Sequence, residues 1–184
     1  SNKTTIAYLD GMALGGGLEL ALACDYRIAT PRLMAAFPET GIGIYPGLGG
    51  TQRTTRCIGK ALTKYMIATG KAVNAETAFD FGLVSSIVEP SNKLEEIARL
   101  EPKPLPEGHI AGSKEVLSFA DFTGDLNDPI FEESKRVLQK KAPLALKLAM
   151  RLVDEGEELP LDKALQLELD ALQEIFATQD ALKG

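Results

Sequence analysis

Apolar and polar positions change in short blocks at the start of the chain. Residues 4–10 are β-branched and apolar up to an Asp10-Gly11 stop, which predicts a buried strand. After Gly15-Gly16-Gly17, the residues Leu18, Leu20, Ala21, Leu22 and Cys24 predict a helix over 17–24 that is packed on both sides. Residues 25–30 predict a second strand, and 34–37 a third short extended piece before Pro38. Strand, crossover helix and strand in such close succession predict parallel winding. Helices follow over 50–58 and 61–69, punctuated by Gly59 and Gly70. Asn74 is placed to cap a helix over 75–81 that Gly82 ends, and 83–88 predicts another apolar strand.

The character changes beyond Glu89. Pro102, Pro104 and Pro106 alternate within residues 101–108, removing backbone donors and fixing extended geometry, so a stiff exposed connector is expected. A short helix near 113–119, a turn region over 124–129 and a helix over 130–141 complete a segment that reads as surface elaboration. Leu144, Leu148 and Leu152, then Leu165, Leu169, Leu172 and Phe176, recur at helical spacing. They predict helices over 142–155 and 161–177, separated by Gly156 and Pro160. A pair that closes the chain's own core and a pair that packs between copies both fit this pattern. The expected partition is a core over 1–100, an insert and linker over 101–141, and a helical pair over 142–184.

The chain's 184 residues are enough to bury a sizeable core, and 45% apolar with 25% charged residues is globular composition. Twenty basic against 26 acidic residues give a net charge of −6 without a long run of one sign, which argues against a nucleic-acid footprint. Cys24 and Cys57 lack metal-ligand spacing and lie in apolar helical surroundings, so reduced core thiols in a reducing compartment are expected. No apolar run reaches membrane-spanning length and no secretory leader pattern is visible, from which an intracellular, cytoplasmic location is expected. Ser1-Asn2 has the form of a protease-site remnant, which would put the first natural residue near Lys3.

The glycine triplet carries the clearest chemistry. Glycines between a strand and a helix leave N–H groups bare at the helix's positive end, and Glu19 sits one turn in, a combination suited to anionic intermediates. Gly16 would let a ligand oxygen approach its N–H closely; a tight strand-to-helix turn explains the same glycine. Glu39, entered through Pro38, can join Glu19 at one site. Two carboxylates beside one apolar pocket split their proton affinities, leaving one to donate and one to accept near neutrality. The alternative is a glutamate favoured by the helix dipole and a loop glutamate in solvent. Gly47 is either a backbone donor at a helix start or loop punctuation, and Arg53 and Arg56 share a helix face that suits solvent or a phosphate. His109, the only histidine, lies beside the prolines with no evident partner, so no catalytic role is assigned to it.

Three motifs, Ala13-Leu14-Gly15-Gly16-Gly17-Leu18-Glu19-Leu20-Ala21 with Cys24-Asp25 behind it, Pro38-Glu39-Thr40-Gly41-Ile42-Gly43, and Pro46-Gly47-Leu48-Gly49-Gly50-Thr51-Gln52-Arg53, occur in order. In them the chain resembles the crotonase superfamily, and within it the enoyl-CoA hydratases, densely over 6–88 and again from 142 to the end. The resemblance implies an α/β fold: a partial crotonase-like ββα spiral core followed by a C-terminal helical region. It implies hydration of trans-2-enoyl-CoA to 3-hydroxyacyl-CoA in fatty acid β-oxidation. Glu19 would activate water for attack on the β-carbon, and Glu39 would protonate the α-carbon. Gly16 would supply one oxyanion-hole N–H, the second coming from a loop ahead of this chain's first residue, and Gly47 would help to hold the attacking water. No cofactor is implied, coenzyme A being part of the acyl-CoA thioester substrate, and NAD would enter only with a dehydrogenase domain elsewhere in a parent protein. Members carry further βα units before the glycine triplet. The chain is therefore expected to be part of something longer, including the C-terminal hydratase part of a bifunctional 3-hydroxyacyl-CoA dehydrogenase. A homo-oligomer, a trimer or a dimer of trimers, is implied, with neither a nucleic-acid nor a membrane partner, and an organellar matrix would be the location in a eukaryote. The 101–141 segment is longer than family members usually place there, so an altered acyl-CoA pocket or an interdomain contact competes with surface elaboration. Two other readings stay open: a non-catalytic crotonase fragment serving as an oligomerisation scaffold, and a sister activity such as enoyl-CoA isomerisation or acyl-CoA hydrolysis.

Overall fold

The strand that ends at Asp10-Gly11 passes at once into a strand of a second sheet, and this corner sets the winding of the molecule. The computed structural model describes residues 3–91, 93–101, 113–125 and 131–178. Strand β1 (Ile6–Leu9) runs through the corner into β2 (Met12–Leu14), and helix α1 (Gly16–Leu22) follows. Strands β3 (Tyr26–Ala29) and β4 (Met34–Ala36) then repeat the path. β3 lies parallel to β1 with Ile6 opposite Tyr26, and β4 lies parallel to β2 with Met12 opposite Met34, so two successive turns of a ββα spiral stack in register. The corners are pinned to each other. Thr30 Oγ1 donates to Asp10 Oδ1 at 2.7 Å, Arg32 pairs with the same carboxylate, and the Met34 N–H donates to Gly11 O at 3.0 Å.

Helices α2 (Gly50–Ile58) and α3 (Lys60–Thr69) come next, then β5 (Val73–Asn74), antiparallel to β4. Asn74 Oδ1 accepts the Thr77 N–H at 2.9 Å and so caps α4 (Ala75–Asp80), as its position predicts. The strand expected over 83–88 is only β6 (Ser86–Ile87), parallel to β3. The Leu83 and Val84 N–H groups turn back to Ala78 O to close α4, so pairing with β3 starts only at Ser85, whose N–H donates to Arg27 O, and ends at Val88, whose N–H donates to Ala29 O.

Beyond α5 (Leu94–Ile97) the insert holds α6 (Lys114–Ser118), a 3₁₀ turn over Phe119–Asp121 and α7 (Lys135–Leu138). The connector's prolines and His109 fall outside the described residues, and the helix expected over 130–141 is confined to α7. Surface elaboration does not fit the described part of this segment. Phe119, Phe122 and Phe131 are buried and meet edge to face with centroids 4.7–5.2 Å apart, and Tyr65 of α3 packs on Phe119 at 5.4 Å. Lys64 beneath them is 1% exposed and donates to Ala120 O, Phe122 O and Asp154 Oδ2.

Helix α8 (Pro143–Gly156) buries Ala145, Leu146, Leu148, Ala149, Met150, Leu152 and Val153 in the chain's own core, against α2 and α3. One hydrophobic cluster therefore takes residues from all three sequence segments. The helix expected over 161–177 is two, α9 (Leu161–Asp170) and α10 (Leu172–Phe176), jointed at Ala171.

Candidate active site

The strand-to-helix turn that opens the site depends on Gly15. Its φ of 51° is left-handed, and a Cβ there would lie 2.7 Å from Glu39 Oε1, so a side chain is excluded by both backbone and space. Leu18 and Glu19 donate back to Gly15 O at 2.9 and 3.0 Å, whereas the Gly16 N–H, first in α1, has no partner within its helix. It borders a cavity of about 340 Å³ lined by Gly16, Glu19, Glu39, Tyr45, Gly47 and Leu48, with Leu172 and Phe176 closing it from α10. All four residues singled out in the sequence, Gly16, Glu19, Glu39 and Gly47, are thus brought to one mostly apolar space.

The two carboxylates differ in their surroundings. Glu19 is 3% exposed, and its Oε1 accepts the N–H groups of Leu48 at 2.7 Å and Gly50 at 2.9 Å. Burial raises its proton affinity, and those two donors oppose the rise by favouring the charged form. Glu39, 8% exposed, starts the 3₁₀ turn Glu39–Ile42, and its buried Oε2 has no hydrogen-bond partner. Burial pushes its pKa up to about 7; its own N–H opposes, the Glu19 charge adds to the rise, and Lys141 counters it. Two N–H groups from another segment solvate Glu19 and only its own N–H solvates Glu39, so the two carboxyls beside one cavity hold a proton unequally.

A third buried carboxylate was not singled out in the sequence. Glu168 of α9 is 1% exposed and accepts the N–H groups of Gly49 at 2.5 Å and Thr51 at 3.1 Å, together with the Thr51 hydroxyl. Burial pushes its pKa up to about 7 against the Thr51 hydroxyl and the Gly49 N–H, and the Glu19 charge contributes to the rise. The signal was available: Ala164, Glu168, Ala171 and Ile175 form one stripe at helical spacing, and a carboxylate in a buried stripe needs donors.

The two arginines hold the scaffold. Arg56 Nη2 donates to Gly156 O at 2.9 Å and Leu159 O at 2.5 Å and so closes the end of α8, while Arg53 Nη1 reaches Leu48 O at 3.3 Å. Cys24 and Cys57 are both free.

The sequence profile of the family described as Enoyl-CoA hydratase/isomerase matches residues 1–117. The chain is 36% identical over 182 residues to the crotonyl-CoA hydratase of Syntrophomonas wolfei, covering 99% of this chain and 57% of that protein. It is 34% identical to a probable mitochondrial enoyl-CoA hydratase 2 of Arabidopsis thaliana, with 98% of this chain and 48% of that one covered. With a short-chain-enoyl-CoA hydratase of Clostridioides difficile it shares 32% identity over all 184 residues and 96% of that protein. In fold it is similar to the crystal structure of an enoyl-CoA hydratase from Rhodobacter sphaeroides, with a TM-score of 0.75 at 22% identity over 98% of this chain and 58% of that one. The chain spans about half to three-fifths of the length of the first two relatives and of that structure.

Proposed function

Because the chain belongs to the enoyl-CoA hydratase/isomerase family, we propose that the protein hydrates trans-2-enoyl-CoA thioesters to 3-hydroxyacyl-CoA, with Glu19 as base and Glu39 as acid. The observation that carries the assignment is the unequal solvation of these two carboxylates at one cavity. Held by the Leu48 and Gly50 N–H groups, Glu19 is the better anion and takes a proton from water. Glu39, unpartnered at Oε2, is the better acid.

In the addition, the water oxygen forms a bond to the β-carbon as its proton passes to Glu19. The π electrons of the double bond move to the α-carbon and onto the thioester oxygen, giving an enolate. The Gly16 N–H, at the positive end of α1, stabilises that oxygen as charge develops, and Gly47 at the cavity wall holds the water. Re-forming the thioester carbonyl returns the electron pair to the α-carbon, which takes the proton from Glu39. Water has then been added across the bond, with Glu19 protonated and Glu39 ionised, and exchange of one proton with solvent at each resets the pair. The apolar walls supplied by Tyr45, Leu48, Leu172 and Phe176 lower the polarity around these groups and strengthen each of these interactions.

We further assign the protein to a homo-oligomer, a trimer or a dimer of trimers, working in the cytoplasm or in an organellar matrix. The exposed Met12, Leu20 and Leu48 support apolar association, and no helix among the described residues is long and apolar enough to cross a membrane. The test of the function is loss of the conjugated thioester absorbance of crotonyl-CoA, with Glu19→Gln and Glu39→Gln as matched variants. Each variant should lose turnover by about a hundredfold or more while remaining folded. Full turnover in either one would refute the assignment.

A further inference from the structure

The start of α2 is held from two sides. Of four consecutive backbone N–H groups, those of Leu48 and Gly50 go to Glu19 Oε1, and those of Gly49 and Thr51 go to the two oxygens of Glu168. Alternate groups along a tight turn point in opposite directions, so one side cannot shift without moving the other. We propose that Glu168 is a positioning residue for Glu19: it fixes the Leu48–Gly50 turn and through it the two donors that keep Glu19 a base.

The surroundings of Glu168 are built for this task. The Thr51 hydroxyl donates to the Glu168 carboxylate, and its oxygen accepts from Gln52 Nε2 at 2.9 Å. That Gln52 amide is oriented in turn, since Nε2 also donates to Leu152 O at 2.8 Å. The backbone of Glu168 is held as well, Tyr45 donating its hydroxyl to Glu168 O at 2.6 Å, and Tyr45 is itself a wall of the cavity. Packing alone does not call for a carboxylate here. An apolar side chain of similar size would fill the space without desolvating a charge, and the three donors aimed at Glu168 are what a carboxylate satisfies and a hydrocarbon leaves orphaned. Glu168 does not line the cavity, so it acts on the reaction from behind the turn, through the turn's backbone and through its charge on Glu19.

The kinetic consequence rests on the hydration reading; the structural consequence does not. The experiment therefore has two readouts on the full chain, for Glu168→Gln, Thr51→Val and Thr51→Ser. The first is the amide proton shift of Leu48 and Gly50 by NMR without substrate, referenced to Glu19→Gln, in which those bonds lose their carboxylate. The second is crotonyl-CoA hydration resolved into kcat and KM. In Glu168→Gln and Thr51→Val the Leu48 and Gly50 shifts should move toward those of Glu19→Gln, with Leu48, three residues from Thr51 and not bonded to Glu168, as the deciding reporter. Turnover should then fall about tenfold to a hundredfold in kcat with KM nearly constant, and Thr51→Ser, which keeps the hydroxyl, should recover most of the loss. Leu48 and Gly50 shifts that stay in place in folded Glu168→Gln and Thr51→Val overturn the proposal, as does an unchanged kcat in both when the unaltered chain is active. A chain that shows the shift changes but no hydration in any form overturns the hydration reading and upholds the positioning role.

Discussion

Replacing Glu39 by glutamine should destroy turnover and yet make the protein more stable at alkaline pH. Folding buries the Glu39 carboxyl and raises its pKa from 4.5 to about 7, so the folded state favours the protonated form. For a raised carboxylate the native state binds the extra proton between those two values. Stability is therefore fully present below pH 4.5 and falls as pH rises to about 7. At about 1.4 kcal/mol for each pKa unit, the penalty at pH 8 is about 3 kcal/mol. Glutamine keeps the shape and has no charge to desolvate. Glu39→Gln should thus exceed the unaltered chain by up to about 3 kcal/mol at pH 8, or on the order of 5–10 °C in Tm for a chain of this size. At pH 5, where the unfolded carboxyl is largely ionised and the folded one is not, the advantage should shrink below about 1 kcal/mol. Urea denaturation of both proteins at pH 5, 6.5 and 8 reads the difference directly, with crotonyl-CoA hydration measured on the same samples. A stability difference that stays flat across those pH values, or one that favours the unaltered chain at pH 8, would refute the reasoning about Glu39.

Two further substitutions probe the supports of the site. Gly50→Ala places a Cβ 2.6 Å from Glu19 Oε1 and 2.5 Å from Pro46 Cβ, so Glu19 must leave its donors; turnover should fall at least about tenfold, with overpacking costing about 1–3 kcal/mol. Unchanged turnover in that variant would mean that the Gly50 donor is dispensable. Lys64→Met removes the donor to Ala120 O, Phe122 O and Asp154 and should destabilise the fold by about 2–4 kcal/mol in chemical denaturation, while a loss under 1 kcal/mol would show that water replaces the ammonium.

Local chemistry made the first half of the fold legible. Gly15 to Glu19, the Asn74 cap and the helices around Gly59 and Gly70 are set by backbone freedom, capping and apolar period, all of which lie within a few residues. Strands β2 and β5 were not legible, because three and two residues become strands only through pairing with β4. The insert misled for a different reason. Phe119, Phe122 and Phe131 are separated by two residues and by a mostly polar stretch of eight, and nothing local says that they converge beside Tyr65. Ala171 joints a helix whose apolar period runs through it unbroken, so the break follows from packing rather than sequence. Within the site, motif and spacing found the residues that face the cavity, and they missed Glu168, whose role exists only across the interface of α9 with α2.

That interface also fixes when the site can exist during synthesis. The two cavity carboxylates lie within the first 39 residues, but Glu168 closes a loop of 119 residues onto Gly49, and Leu172 and Phe176 are made later still. A chain emerging from the ribosome holds both carboxylates long before it holds the walls and the brace that complete their surroundings. Contacts of such long sequence separation form slowly, because loop closure is paid before they reward it. Until α9 and α10 dock, Glu19 and Glu39 lack the Leu172 and Phe176 side of their cavity, and the nascent chain carries both carboxylates beside an unfinished pocket.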